Sequence, residues 1–283
     1  VSWLSHVFQT WQGGLTVAGA VTATGGVLVT IRSFWRKTLG KGRYYAGLYE
    51  GMALSVRHDV IKRQFGEHDW QFKATFQQYE GVHGQTTDVD LLVRIWPLGK
   101  LGYLTTWCTL ADDTVVMYGV TTRSRWFQPH VPVGPDYSIK LGRSRFAELP
   151  DPAQRPTGGR FAAVGARRFG YAEGHYFGNP GGYQTWIVGA CDSGAPMSPP
   201  IGVYQAAARE WDEARYVQYR TSGVINSVIV AAGLSPLKVL DDRFLPYGVG
   251  PDQDRVRLSP ATAVRPTLAA RWRERQAQRA IGR

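Results

Sequence analysis

Val89-Asp-Leu-Leu-Val-Arg-Ile95, Leu104-Thr-Thr-Trp-Cys-Thr-Leu110 and Val115-Val-Met-Tyr-Gly-Val120 follow one another within residues 89–120. Each run is short and rich in Val, Ile, Thr and aromatic residues. Pro97 and Gly99 separate the first two, and Asp112-Asp113 the last two. That is the pattern of consecutive antiparallel strands joined by tight turns. Working outward, residues 44–48, 52–56 and 70–76 read as further strands, so 42–125 predicts a barrel or sandwich. Residues 127–160 are rich in Pro and Gly and read as a connector with surface loops. A second series follows at 161–164, 183–188, 201–204, 216–219 and 222–230. Residues 205–215 are rich in Ala and charge and read as a short helical insertion. The 33 glycines and 16 prolines of this 283-residue chain favour many short strands over long helices.

The two ends differ from this middle. Trp3, Leu4, Val7, Phe8 and Trp11 have roughly helical spacing. Residues 13–31 carry no charge and are followed by Arg32, Arg36, Lys37, Lys41 and Arg43. That length and basic flank fit a membrane span. The Gly- and Thr-rich composition fits a β-hairpin turning at Thr24-Gly25-Gly26. Both readings stay open. No short apolar core followed by a small-residue cleavage site is present, so no secretory signal is expected.

The net charge is +11, and residues 255–283 hold eight Arg against Glu274 alone, a net +7. A basic tail of this kind can dock on RNA or an anionic membrane, or remain solvated. Two cysteines, Cys108 and Cys191, are too few for a disulfide-stapled secreted enzyme and point to a reducing compartment. No metal-ligand cluster and no phosphate-binding glycine loop stands out, so neither a metal nor a cofactor is expected.

The chemistry sits in Gly189-Ala-Cys-Asp-Ser-Gly-Ala-Pro196. A serine alcohol needs a base to take its proton and donors to hold an oxyanion. A tight turn with glycine beside the serine lets backbone N–H groups supply those donors. Upstream stand Met52-Ala-Leu-Ser-Val-Arg-His58 and Asp88-Val-Asp-Leu-Leu92.

Together these three motifs, in the order His, Asp, Ser, resemble the chymotrypsin-like, two-barrel serine proteases. The resemblance covers about residues 42–235. It implies an all-β fold of two antiparallel six-stranded barrels and a serine endopeptidase activity. Residues 1–37 would form an N-terminal helical, membrane-proximal or hairpin segment. Residues 38–126 would form the first barrel, with His58 and Asp88. Residues 127–160 would connect it to a second barrel, 161–240, with Ser193, and 241–283 would be the basic tail.

Ser193 would be the nucleophile, His58 the general base, and Asp88 the group that orients the imidazole. The backbone N–H groups of Cys191 and Ser193 would form the oxyanion hole. Asp90 is the alternative acid, because it shares a strand face with Asp88. Asp59 follows His58 directly and would point away from it. Among the other histidines, His83 lies too near Asp88 in sequence. His130 and His175 fall outside the first barrel, and His6 and His68 lack the preceding strand. The family has glycine where Cys191 stands, which restricts the backbone of the hole. Cys191 itself is a rival nucleophile, disfavoured because the nucleophile of this fold directly precedes glycine.

Ile187, Gly223, Val224 and Ile225 would line the specificity pocket. With no acid at its base, the pocket implies a small or apolar residue at the cut. The uncharged stretch, protease core and basic tail are similar in layout to proteases of positive-strand RNA virus polyproteins. That implies a polypeptide substrate, its own polyprotein included, and a location in host cytoplasm in contact with membrane. The alternative is a catalytically impaired protease-fold module that binds RNA or anionic membrane through residues 255–283.

Overall fold

The computed structural model describes residues 40–80, 85–154, 159–164, 169–195, 211–232 and 249–251. The expectations for residues 1–37, for strand 201–204 and for the tail 255–283 lie outside these residues.

Ten strands are formed among the described residues: β1 (Trp70–Glu80), β2 (Gln85–Pro97), β3 (Gly102–Thr109), β4 (Val115–Thr122), β5 (His130–Val133), β6 (Tyr137–Lys140), β7 (Gly159–Val164), β8 (Phe169–Tyr176), β9 (Gln184–Cys191) and β10 (Ser227–Ala232). Three α-helices accompany them: α1 (Lys41–Glu50), α2 (His58–Phe65) and α3 (Glu213–Ser222). Eight strands form one antiparallel sheet in the order β1-β2-β3-β4-β10-β9-β8-β7, and β5 and β6 form a separate ribbon.

The mainly-β character is as the sequence predicts; among the described residues eight strands lie in one antiparallel sheet, and two six-stranded barrels are not formed. Val120 on β4 faces Val228 on β10, which faces Val188 on β9. Strands assigned to both barrels therefore share one sheet. Among the described residues β1 and β7 end the sheet with no second partner strand, so no barrel closes.

Strand alternation sorts the core into two faces. The first holds Trp96, Leu104, Val120, Val228, Val188 and Tyr171. Against it pack Ala46 and Tyr49 of α1, Ile61 of α2, Tyr219 of α3, and Val131, Val133 and Ile139 of the ribbon. The second face holds Phe76, Val93, Ile95, Tyr103, Met117, Ile229, Ile187 and Val249. Chain division gives two units, Val1–Tyr44 and Tyr45–Arg283, and the packing above concerns the second.

Several local expectations are corrected. Residues 44–48 lie in α1, because Tyr45, Ala46 and Tyr49 repeat at helical spacing and Tyr49 is buried. Residues 52–56 form turns, with Ser55 at φ 62°. Residues 216–219 lie in α3, which Asp212 caps by accepting the Arg215 N–H at 2.9 Å and which Gly223 ends. The connector is not merely a run of surface loops, since Val131, Val133, Ile139, Leu141, Phe146 and Leu149 are buried in it.

Gly102 opens β3 at φ 155°, and a Cβ there would lie 2.0 Å from the Thr121 carbonyl oxygen. Gly102→Ala is therefore expected to cost roughly 1–3 kcal/mol. The midpoint of urea unfolding would read this, and an unchanged midpoint would contradict the close approach. Among the described residues no helix is long and apolar enough to cross a membrane.

Candidate functional site

Ser193 sits in a turn that leaves the end of β9. The Gly194 N–H donates to the Cys191 carbonyl at 3.1 Å, and the Ala195 N–H donates to Thr122 O at 2.8 Å. Asn226 braces the turn from the start of β10. Its Oδ1 accepts the Cys191 N–H at 3.0 Å, and its Nδ2 donates to the Cys191 carbonyl at 3.0 Å. A Cβ on Gly194 would lie 2.5 Å from Asn226 Cγ, so glycine is required by that contact. The brace has a chemical consequence: the Cys191 N–H, assigned to the oxyanion hole, is already occupied.

Ser193 Oγ lies 3.0 Å from Cys191 Sγ, which lies 3.5 Å from Ser227 Oγ. Ser227 in turn shares a hydrogen bond with Thr121. These groups belong to the second face, and Ser193 is only 4% exposed. Burial pushes the Cys191 thiol pKa up, so it is a neutral thiol and a poor nucleophile at neutral pH.

His58 lies elsewhere. It ends no strand; it opens α2, and its backbone N–H donates to Asp113 O at 2.9 Å. Its ring is 5.5 Å, centroid to centroid, from both His68 and Trp96. Trp96 projects from the first face. Pairing runs Trp96↔Leu104, Leu104↔Val120, Val120↔Val228 and Val228↔Val188. Cys191 is three residues beyond Val188 and so points to the opposite face. The imidazole and Ser193 are on opposite sides of the sheet.

Burial, and then the nearby Arg94 charge, lower the His58 pKa to about 4, with Asp113 opposing. Arg94 engages Asp113 at 2.5 and 3.1 Å, so that carboxylate is committed. His58 Nδ1 is buried without a hydrogen-bond partner among the described residues.

Asp88 faces Gln77 on β1 and is exposed. It is eight residues from Trp96 along β2, about 26 Å at 3.3 Å per residue. Asp90 pairs with Lys73 at 2.6 Å and Thr75 at 2.7 Å, and the Lys73 hydrogen bond holds its carboxyl pKa below the ordinary value. Asp59 lies 3.5 Å from Arg63 on the exposed side of α2. No acid of the resemblance therefore reaches His58 to orient it.

The pocket residues are also dispersed. Ile187 lies in the second-face cluster, Ile225 in the first, Gly223 ends α3, and Val224 bridges to Arg145. His6 and His83 lie outside the described residues, and His130 is exposed on β5.

One buried charged group was missed in the sequence reading, because β8 itself was missed. Glu173 is fully buried on the first face. It accepts from Tyr171 Oη at 2.5 Å and from Arg220 Nη1 at 2.7 Å, with His175 Nε2 at 3.5 Å. Arg220 Nη2 also donates to the carbonyls of Phe146 and Leu149, at 3.2 and 2.8 Å. The alternation Tyr171, Glu173, His175 was the signal available. Burial raises the Tyr171 pKa strongly, with the Glu173 charge adding to it. The phenol therefore stays a donor and the group reads as a structural anchor.

Among the described residues no three His, Cys, Asp or Glu side chains group as a metal site. The chain matches no family model, no curated protein and no solved structure.

Proposed function

We propose that the Ser193 turn is the functional centre of this chain, and that the chain is a serine endopeptidase acting on a polypeptide that includes its own polyprotein. One observation carries this reading: Ser193 precedes a glycine whose place is dictated by close contact, in a turn tied at both ends to the sheet. The His, Asp, Ser order of the sequence motifs adds to it. In the described arrangement His58 and Asp88 do not serve Ser193, so hydrolysis needs a base brought by rearrangement or from outside the described residues.

A second reading is favoured by a specific observation. A 4%-exposed serine, whose neighbouring N–H is already bound by Asn226, suits a protease-like module that binds without cutting. Its partner would then be RNA or an anionic membrane, engaged by residues 255–283.

Fluorophosphonate labelling separates the two. Under the first reading the full chain labels, and Ser193→Ala abolishes labelling by ~10³-fold or more. Loss in His58→Ala as well would restore the triad, whereas retention would place the base elsewhere. A folded chain that does not label supports the second reading. RNA or anionic-vesicle binding should then weaken with salt, survive Ser193→Ala, and vanish on deletion of residues 255–283.

A further inference from the structure

Val249 packs in the second-face cluster, and Gly250 lies against Ser193 and Cys191. Val249 is 3% exposed, and its Cγ2 would be 2.2 Å from a Cβ on Gly189. Gly189 thus leaves a notch in β9 that the valine fills. A Cβ on Gly250 would lie 2.5 Å from Ser193 Oγ and 2.6 Å from Cys191 Sγ. The segment therefore approaches the serine and the thiol as only glycine allows. Pro251 beyond it is buried.

We propose that the face of β9 at Gly189, Cys191 and Ser193 is a peptide-binding site, filled in cis by this chain's own segment around Val249-Gly250-Pro251. The site takes a branched aliphatic side chain in the Gly189 notch and a glycine over Ser193. Its ligand class is a peptide of small and apolar residues that bends at the valine and glycine and carries proline after the glycine. This deepens the reading of Ser193 as functional centre by naming what occupies it, and it accounts for the burial of a serine on an otherwise exposed kind of turn. The occupancy does not depend on hydrolysis.

The test uses the full chain and reads the Cys191 thiol, which the same segment covers, so its outcome is independent of whether Ser193 cuts. Cys108, 0% exposed on the first face, is the internal standard. In the wild type both thiols should resist N-ethylmaleimide under native conditions. In Gly250→Leu, or the milder Val249→Ser, Cys191 alone should react at least tenfold faster, with the site located by mass spectrometry. A synthetic peptide spanning residues 245–254, added in trans, should restore protection. Two results overturn the proposal. One is that Cys191 stays inert in both folded variants. The other is that Cys191 and Cys108 rise together in both, which would make the segment an integral part of the core. Failure of fluorophosphonate labelling with selective Cys191 release would remove the peptidase reading and leave the peptide site.

Discussion

Arg220→Met is expected to destabilise the fold by about 3–5 kcal/mol, the range for breaking one side of a buried ion pair. Glu173 is fully buried, and Arg220 is the cation that meets it at 2.7 Å. Removing the guanidinium leaves a buried carboxylate that keeps, among the described residues, the Tyr171 hydroxyl and the His175 ring as neighbours. It also strips a donor from the Phe146 and Leu149 carbonyls, at the short helical turn Phe146–Glu148. For a unit of this size, each kcal/mol lowers Tm by about 2–4 °C. Glu173→Gln combined with Arg220→Met should recover part of the loss, because the uncompensated charge goes with its partner. Thermal and urea unfolding of the two single variants and the double variant measure this. A loss below about 1 kcal/mol for Arg220→Met would mean that the pair does not hold α3 to the sheet. The consequence reaches the site, since α3 ends at Gly223, three residues before Asn226. A loosened α3 should therefore also raise Cys191 reactivity.

Legibility in the sequence followed the range of the interactions involved. The runs 89–95, 104–110 and 115–120 were readable because neighbouring strands joined by short turns are specified locally. Their partners on the other half of the sheet were not. The pairing of Val120 with Val228 spans more than a hundred residues, and no local pattern announces it. Aromatic content misled at 44–48 and 216–219. Tyrosine favours strands on average, yet here Tyr45 and Tyr49, like Tyr216 and Tyr219, repeat at the spacing of a helix. At the site, the Ser193-Gly194 turn was legible because its chemistry is contiguous. The brace from Asn226 was not, because it needs the β9–β10 register. Nor could the sequence tell that Trp96 and Cys191 face opposite ways, which separates His58 from Ser193. That follows only from counting alternation across five strands.

Acidification from pH 7.5 to 5 is expected to cost the fold about 2 kcal/mol through His58 alone, out of roughly 3 kcal/mol in all. The direction follows from where its proton binds. Burial between His68 and Trp96, with Arg94 near, keeps the imidazole neutral in the native state down to about pH 4. In the unfolded chain the same group protonates at about 6.5. Above that pH the two states bind the proton equally and the term vanishes. Between about 6.5 and 4 only the unfolded state binds it, so stability falls as the pH falls. Below about 4 the term is constant. His68, whose pKa burial also lowers, acts in the same direction. Urea unfolding midpoints at pH 7.5, 6 and 5 for the wild type and His58→Gln would read this. The substitution should flatten much of the slope, and a parallel pair of curves would sink the assignment. The result also bears on chemistry. A general base is most useful with a pKa near the working pH. A histidine that stays neutral down to about pH 4, with an unpartnered Nδ1 and no orienting acid among the described residues, is not poised to hold the imidazolium that serine attack creates. If fluorophosphonate labelling of Ser193 rises with a midpoint near pH 7, the base is a group other than His58 as placed here. A midpoint near 4 that shifts in Arg94→Gln would return the role to His58 and require the sheet to open between them.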